Sequence, residues 1–197
     1  MPSTIAVSTR LSSAMYYEEK RDSISRDWIN LFNNLSINNY ILLPNIETNL
    51  ITEYCNYHSV HGFLFTGGDD IGKDRKRDKV EIAALNLAEK RSLKVLGICR
   101  GMQIISSFFG GTLKSIEGHM ATRHKINDSS LRSVNSYHSY GIENLPECFK
   151  VIHRASDNSI ESISHKLLPW NGCMWHPERD KLIHPMDIKM IKSLFDS

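Results

Sequence analysis

The residues best suited to do chemistry lie in Gly97-Ile98-Cys99-Arg100-Gly101-Met102-Gln103. An apolar run over residues 94–98 leads straight into Cys99, and a helical pattern carrying Ile104, Ile105 and Phe108 follows from Met102. A glycine two positions before and two after a nucleophile is what a tight strand-to-helix turn requires, because a side chain there collides with the neighbouring element. Such a turn lifts the thiol clear of the sheet and faces it toward the amino end of a helix, where the dipole and unpaired N–H groups favour a thiolate. Arg100 adds a positive charge, and its N–H is placed to donate to an oxyanion forming on a carbonyl. A cysteine at a strand end is most often a core residue. The Gly-x-Cys-x-Gly frame is what singles out Cys99.

A thiol hydrolase also needs a base within hydrogen-bond reach, oriented by a third group. Met174-Trp175-His176-Pro177-Glu178 supplies one. Read as continuing a short apolar strand over 173–176, it sets His176 and Glu178 on one side, since residues two apart on a strand share a face. Pro177 fixes the backbone angle between them and removes a competing donor. His58 and His61 lie three apart, but no acidic or thiol companion stands at ligand spacing, so neither zinc hydrolysis nor any other metal is expected. The four cysteines, Cys55, Cys99, Cys148 and Cys173, include no Cys-x-x-Cys pair, which argues against a zinc ribbon and a disulfide framework alike.

The elements that must position these residues are legible as alternating strands and helices. Residues 5–8 read as a strand and 27–35 as a helix with Trp28, Leu31, Phe32 and Leu35 on one face. Strands over 40–44 and 62–66 follow, the second ending in Gly67-Gly68, then an amphipathic helix over 78–91 and the strand 94–98. Beyond these, short strands at 134–137, 149–153 and 160–163 join the one at 173–176 with no helix between them, and a helix over 185–195 closes the chain. The expected fold is α/β, a mostly parallel central sheet flanked by helices, with extra β-strands in the second half. A chain of 197 residues fits one domain, 1–197.

With 41% hydrophobic and 23% charged residues and a formal net charge of +2, the chain reads as an ordinary globular protein, without the basic excess of a nucleic-acid or membrane-surface binder. No apolar run approaches the ~20 residues of a membrane span. Residues 1–7 lack the basic head of a signal peptide, and a cytoplasmic location is expected.

Three motifs now stand in order: Phe65-Thr66-Gly67-Gly68-Asp69-Asp70, the Cys99 turn, and Trp175-His176-Pro177-Glu178. Together they closely resemble the class I glutamine amidotransferase superfamily, and its γ-glutamyl hydrolase branch in particular, over nearly the whole chain. The resemblance implies a flavodoxin-like sheet, a nucleophile at Cys99, a catalytic histidine at His176 and its glutamate at Glu178. It implies an oxyanion hole from the N–H groups of Gly68 and Arg100, and glutamyl contacts from Gly67, Gln103, Tyr137, His138 and Ser139. No cofactor is implied.

The segment 12–33, with Tyr16-Tyr17-Glu18-Glu19-Lys20-Arg21-Asp22, is similar to one small group within that branch. That group hydrolyses γ-glutamyl-CDP-amidate to glutamate and cytidine diphosphoramidate for bacterial surface (capsular) polysaccharides. A diphosphate leaving group calls for cations, and Lys73, Arg75, Lys76 and Arg77 follow the glycine turn, with Arg10, Lys20 and Arg21 in the amino-terminal loop. Such charge runs are more often solvated loops. Three alternatives stand beside this reading: a γ-glutamyl-γ-aminobutyrate hydrolase of polyamine breakdown, a glutaminase subunit feeding ammonia to a synthase partner, and a catalytically silent binding module. The first shares Gly67-Gly68-Asp69-Asp70 and Arg77-Asp78 but carries a longer loop after the glycine turn. The intact Cys99, His176 and Glu178 set argues against the last.

Overall fold

The computed structural model describes residues 4–128 and 132–195. The leader reading at the amino terminus thus falls partly on residues 1–3, outside the described residues. Chain order is β1 (Thr4–Ser8), β2 (Arg10–Ser13), β3 (Lys20–Ser23), α1 (Arg26–Leu35), β4 (Tyr40–Leu43), α2 (Ile51–Tyr57), β5 (Val60–Phe65), α3 (Arg75–Arg91), β6 (Lys94–Ile98) and α4 (Arg100–Phe108). There follow β7 (Thr112–Ser115), β8 (Thr122–Lys125), β9 (Ser133–Ser136), β10 (Tyr140–Asn144), β11 (Phe149–Arg154), β12 (Ile160–His165), β13 (Trp170–Cys173) and α5 (Pro185–Phe195).

The central sheet has seven strands in the order β11-β12-β13-β6-β5-β1-β4. The run from β13 to β4 is parallel throughout, while β11 and β12 are antiparallel additions. This is the mostly parallel α/β sheet expected. Residues 62–65 of β5 and 95–98 of β6 are buried runs without a polar side chain because both faces of the sheet are covered there. Phe63, Phe65 and Val95 pack among α2, α3 and α4 on one side. Leu64, Leu96 and Ile98 pack against α1 and α5 on the other.

Local signals account for the helix boundaries. Ser25 Oγ accepts from Asp27 N–H at the start of α1, and Asp74 accepts from Lys76 and Arg77 N–H at the start of α3, as side-chain caps do. Asp74 starts α3 at Arg75, three residues before the expected point.

Two expectations need correction. The strand placed at 173–176 lies instead at Trp170–Cys173, where Trp170 pairs with Val95 and Cys173 with Ile98. His176 and Glu178 therefore sit in the 3₁₀ turn Pro177–Arg179 and its cap rather than on a strand. Proline suits the first position of such a turn, because its missing N–H has no acceptor there. Second, α2 and the strands β2, β3, β7, β8 and β10 had no counterpart in the expected layout; of the three small antiparallel pairs β2/β3, β7/β10 and β8/β9, only β9 matches an expected strand, the one at 134–137. Among the described residues, no helix is long and apolar enough to cross a membrane.

Candidate active site

Strands β5, β6 and β13 are neighbours and parallel, so their carboxyl ends deliver Gly67-Gly68, Cys99 and His176 to one edge of the sheet, the usual ligand edge of an open α/β sheet. Cys99 takes φ 54° and ψ −109° as the residue capping α4, a conformation that costs a non-glycine residue about 1–3 kcal/mol. Its N–H donates to Cys173 O at 2.7 Å, and its carbonyl accepts from Met102 and Gln103 N–H. The flanking glycines are sterically required: a Cβ on Gly97 would overlap the Gly101 carbonyl, and one on Gly101 would overlap the Phe65 carbonyl. The helix starts at Arg100, so the Arg100 N–H lies in the first turn, where no intrahelical acceptor precedes it.

His176 is buried, with Nδ1 2.7 Å from Glu178 Oε1. Burial works against its charge, but hydrogen bonds to the Cys99 and Glu178 side chains prevail and push its pKa up to about 9. The ring is therefore an imidazolium at neutral pH. Its backbone is gripped on both sides by one amide: Asn135 Nδ2 donates to His176 O, and His176 N–H donates to Asn135 Oδ1, each at 2.8 Å. Tyr137 stands edge-on to the imidazole at 5.6 Å between centroids, and the Arg179 guanidinium lies over the Tyr137 ring at 4.3 Å.

The glycine turn is held from below by buried charge. Arg77 donates through Nη2 to Thr66 O at 2.7 Å, through Nη1 to Gly67 O at 3.2 Å and through Nε to Glu81 at 2.9 Å. Arg100 in turn pairs with Glu81 and Asp78. Burial would raise the Glu81 carboxyl, but Arg77 and Arg100 hold it below the usual carboxylate range. Two sequence-level assignments change here. The Arg100 guanidinium is committed to Glu81 and Asp78 rather than offered to the thiol, and Arg77 is a buried brace rather than a cation free for a leaving group. A Cβ on Gly68 would overlap the Arg77 guanidinium, and one on Gly67 would lie 2.5 Å from His176 Cε1.

Gly68, Cys99, Arg100, Gln103, Tyr137, His138 and Ser139 wall one cavity of about 270 Å³. His176 and Glu178 lie outside its lining. Gln103 is anchored by donating from Nε2 to Tyr140 O at 2.9 Å. Of the cation run after the glycine turn, Lys73 reaches this wall; Arg75 and Lys76 are exposed. Arg10 lies close by, its Cβ 3.7 Å from the position a Gly68 Cβ would take. Of the stretch 16–22, only residues 16–19 belong to the hairpin tip; Lys20, Arg21 and Asp22 lie on β3 and Arg10 on β2, rather than in a loop, with Arg21 donating to Tyr17 Oη at 2.5 Å and Asp22 accepting from Asn45 N–H at 2.9 Å. A larger cleft of about 650 Å³, between β7, β10 and the Asp157 turn, touches none of these residues; the chemistry favours the smaller cavity.

Residues 21–195 match the glutamine amidotransferase class-I family. The chain belongs to that family. The γ-glutamyl-CDP-amidate hydrolase of Campylobacter jejuni is 30% identical over 198 residues, spanning 97% of this chain and 96% of that one. The glutamine-hydrolysing GMP synthase subunit of Pyrococcus furiosus is 28% identical over 137 residues, 64% of this chain and 71% of that one. Among solved structures, a chain from Thermoplasma acidophilum assigned as a GMP synthase subunit superposes with a TM-score of 0.72 at 16% identity, covering 100% of this chain and 94% of that one; this likeness speaks to the fold alone.

Within this class-I amidotransferase chain, sequence reasoning overlooked Asn135 and the Arg77–Glu81–Arg100–Asp78 cluster. Asn135 lies on the strand read over 134–137, two positions before Tyr137 and so on the same face of it. The i, i+4 spacing of Arg77 and Glu81 was a signal for a paired charge, but nothing in the sequence marks the pair as buried.

Proposed function

We propose that this chain is a cysteine hydrolase of γ-glutamyl amides whose preferred substrate is γ-glutamyl-CDP-amidate, giving L-glutamate and cytidine diphosphoramidate. The observation that carries the substrate choice is the end-to-end match to the Campylobacter hydrolase, 97% of this chain against 64% for the Pyrococcus GMP synthase subunit. Lys73 on the cavity wall and Arg10 beside the glycine turn support it, since a diphosphate is recognised by charge-assisted hydrogen bonds.

In this reading, Cys99 Sγ attacks the γ-carbonyl carbon and a C–S bond forms. The carbonyl electron pair moves to oxygen, between the N–H groups of Gly68 and Arg100. The C–N bond then breaks as the His176 imidazolium gives its proton to the leaving nitrogen. Glu178, bonded to Nδ1, holds the ring so that Nε2 faces the reacting atoms. Neutral His176 next takes a proton from water, the hydroxide attacks the thioester carbon, and Cys99 leaves as glutamate forms. Gln103 and the 137–139 turn hold the glutamyl head. The reaction uses no metal or organic cofactor and no nucleic acid, and it takes place in the cytoplasm, upstream of phosphoramidate transfer to a surface polysaccharide.

A second reading, a glutaminase delivering ammonia to a synthase partner, is favoured by the GMP synthase subunit relatives. Glutamate release from γ-glutamyl-CDP-amidate, γ-glutamyl-γ-aminobutyrate and L-glutamine separates the readings. Contacts to the diphosphate worth about 3 kcal/mol give on the order of 100-fold higher kcat/KM for the first compound. Equal turnover of glutamine, or turnover only with a synthase added, overturns the assignment.

A further inference from the structure

Three histidines and a glutamate from separate segments meet beside the cavity wall. His119 follows β7, His124 lies on β8, His138 follows β9, and Glu161 lies on β12. The His119, His138 and Glu161 side chains are at most 4% exposed, and that of His124 is 12% exposed. Ring centroids of His119 lie 4.5 Å from His124 and 4.8 Å from His138.

For His119 and His138, hydrogen-bonding partners fix which ring nitrogen carries the proton, while neither ring nitrogen of His124 has such a partner. His119 Nε2 lies 2.8 Å from the Asp157 carboxylate, an acceptor only, so Nε2 carries hydrogen and Nδ1 of a neutral ring presents a lone pair. His138 Nδ1 lies 3.1 Å from the Tyr140 carbonyl, so Nε2 likewise presents a lone pair. Both lone pairs are turned toward Glu161 Oε1, at 3.5 Å from His119 Nδ1 and 3.8 Å from His138 Nε2. His124 Nε2 stands 3.2 Å from Glu161 Oε2. His119 Nδ1, His124 Nε2, His138 Nε2 and Glu161 Oε2 are all buried without a hydrogen-bond partner. Acceptors gathered in this way repel one another, and each buried orphan costs about 1–3 kcal/mol. A cation at the centre removes both penalties.

We propose that His119, His124 and Glu161, whose ligand atoms lie within 4.8 Å of one another, form a binding site for one divalent transition-metal ion of the zinc class, with His138 packed beside it. Tetrahedral zinc with bonds of about 2.0–2.1 Å holds neighbouring ligand atoms roughly 3.3–3.4 Å apart; Glu161 already stands 3.5 Å from His119 Nδ1 and 3.2 Å from His124 Nε2, and the three ligand atoms lie within 4.8 Å of one another. The outer contacts suit it as well. Ligand histidines donate their other ring N–H to a carboxylate or a backbone carbonyl, as His119 does to Asp157. Three protein ligands leave the fourth tetrahedral position to water, on the side where His138 Nε2 stands 3.8 Å from Glu161 Oε1. Its consequence is local: His119 O accepts from Ser136 Oγ and from His138 N–H, so the ion clasps together the turn that carries Tyr137, His138 and Ser139.

The test uses full-length protein, freed of any affinity tag, exposed to Zn²⁺ or Co²⁺ and then desalted. Elemental analysis is expected to find about one Zn²⁺ per chain, and Co²⁺ to give the intense visible bands of a tetrahedral N/O site. Added Zn²⁺ raises the melting temperature of the metal-free protein. His124→Ala weakens Zn²⁺ binding by more than about 100-fold, and Asp157→Ala, a change at a half-exposed residue, by about 10–100-fold. His58→Ala binds as the parent does. Fewer than ~0.1 Zn²⁺ per chain with no thermal shift, or undiminished metal in the Asp157→Ala and His124→Ala proteins, overturns the proposal. If His124→Ala does not fold, the parent protein's cobalt spectrum and the Asp157→Ala affinity decide.

Discussion

Replacing Glu178 by glutamine tests whether the carboxylate sets the protonation of His176. Raising His176 from its ordinary 6.5 to about 9 corresponds to about 3 kcal/mol in favour of the imidazolium, at 1.36 kcal/mol per pKa unit. An amide at 178 can still accept from Nδ1 at 2.7 Å but no longer supplies a charge, while burial and the Cys99 contact are unchanged. The lost charge lowers the His176 value by about one to two pH units. The alkaline limb of kcat/KM, which the proposed mechanism assigns to loss of the imidazolium proton, then moves from about 9 to about 7–8. Initial rates of glutamate release from pH 6 to pH 10 measure it, with the parent-to-variant ratio near tenfold at pH 9 and smallest in the acid range. Stability gives an independent reading. Because the folded value lies above the unfolded one, the contribution of protonated His176 is fully present below 6.5 and disappears as pH rises through about 9. The melting temperatures of parent and variant should therefore differ most in mild acid and converge above pH 9. A limb that stays near 9 in the variant, or a thermal gap that widens with pH, refutes this account of the site.

Arg77→Met removes one partner of buried Glu81 and leaves the Thr66 and Gly67 carbonyls without their donor; it should cost about 3–5 kcal/mol in denaturant melts and lower kcat. Asn135→Ala cuts both backbone bonds to His176 and, in the proposed mechanism, should lower kcat by about 10–100-fold with little change in KM, because displacing the proposed base harms the transition state more than binding. Cys99→Gly relieves the φ 54° conformation and should raise stability by about 1 kcal/mol while abolishing turnover, read by thermal melts beside the activity assay. Gly101→Ala forces a methyl onto the Phe65 carbonyl and should destabilise by more than about 1–3 kcal/mol, the usual overpacking range; an unchanged melt counts against the close strand-to-helix contact.

Features encoded in short stretches could be read directly. Residues 97–101 announce a glycine-framed turn because strand and helix touch backbone to backbone there, and α5 appears at the expected Pro185–Phe195. The pairing of His176 with Glu178 was foreseen for the wrong reason: the two meet across a 3₁₀ turn, since alignment against β6 ends the strand at Cys173. Trp170-Asn171-Gly172-Cys173-Met174-Trp175 has no alternation to mark that register. Arg77 was counted with Lys73, Arg75 and Lys76 as one charged run, whereas helix geometry turns Arg77 inward to Glu81 and leaves Arg75 and Lys76 to solvent. The histidine cluster was invisible because its members come from four segments separated by up to 42 positions, His119 to Glu161, and only tertiary folding brings them together.

The place of β13 in the sheet has a consequence for how this protein matures. It is the last strand of the described residues, yet it lies between β6 and β12 rather than at an edge. A ribosome-bound chain lacking residues 170–176 therefore exposes β6 as an unpaired edge, prone to pair with other chains, and holds a thiol without its histidine. His176 and the continuous seven-stranded sheet arrive together, after the other strands have been made, through long-range contacts that form slowly. Chains truncated before β13 should then be inert and aggregation-prone, and the nascent protein should depend on chaperones until β13 is inserted.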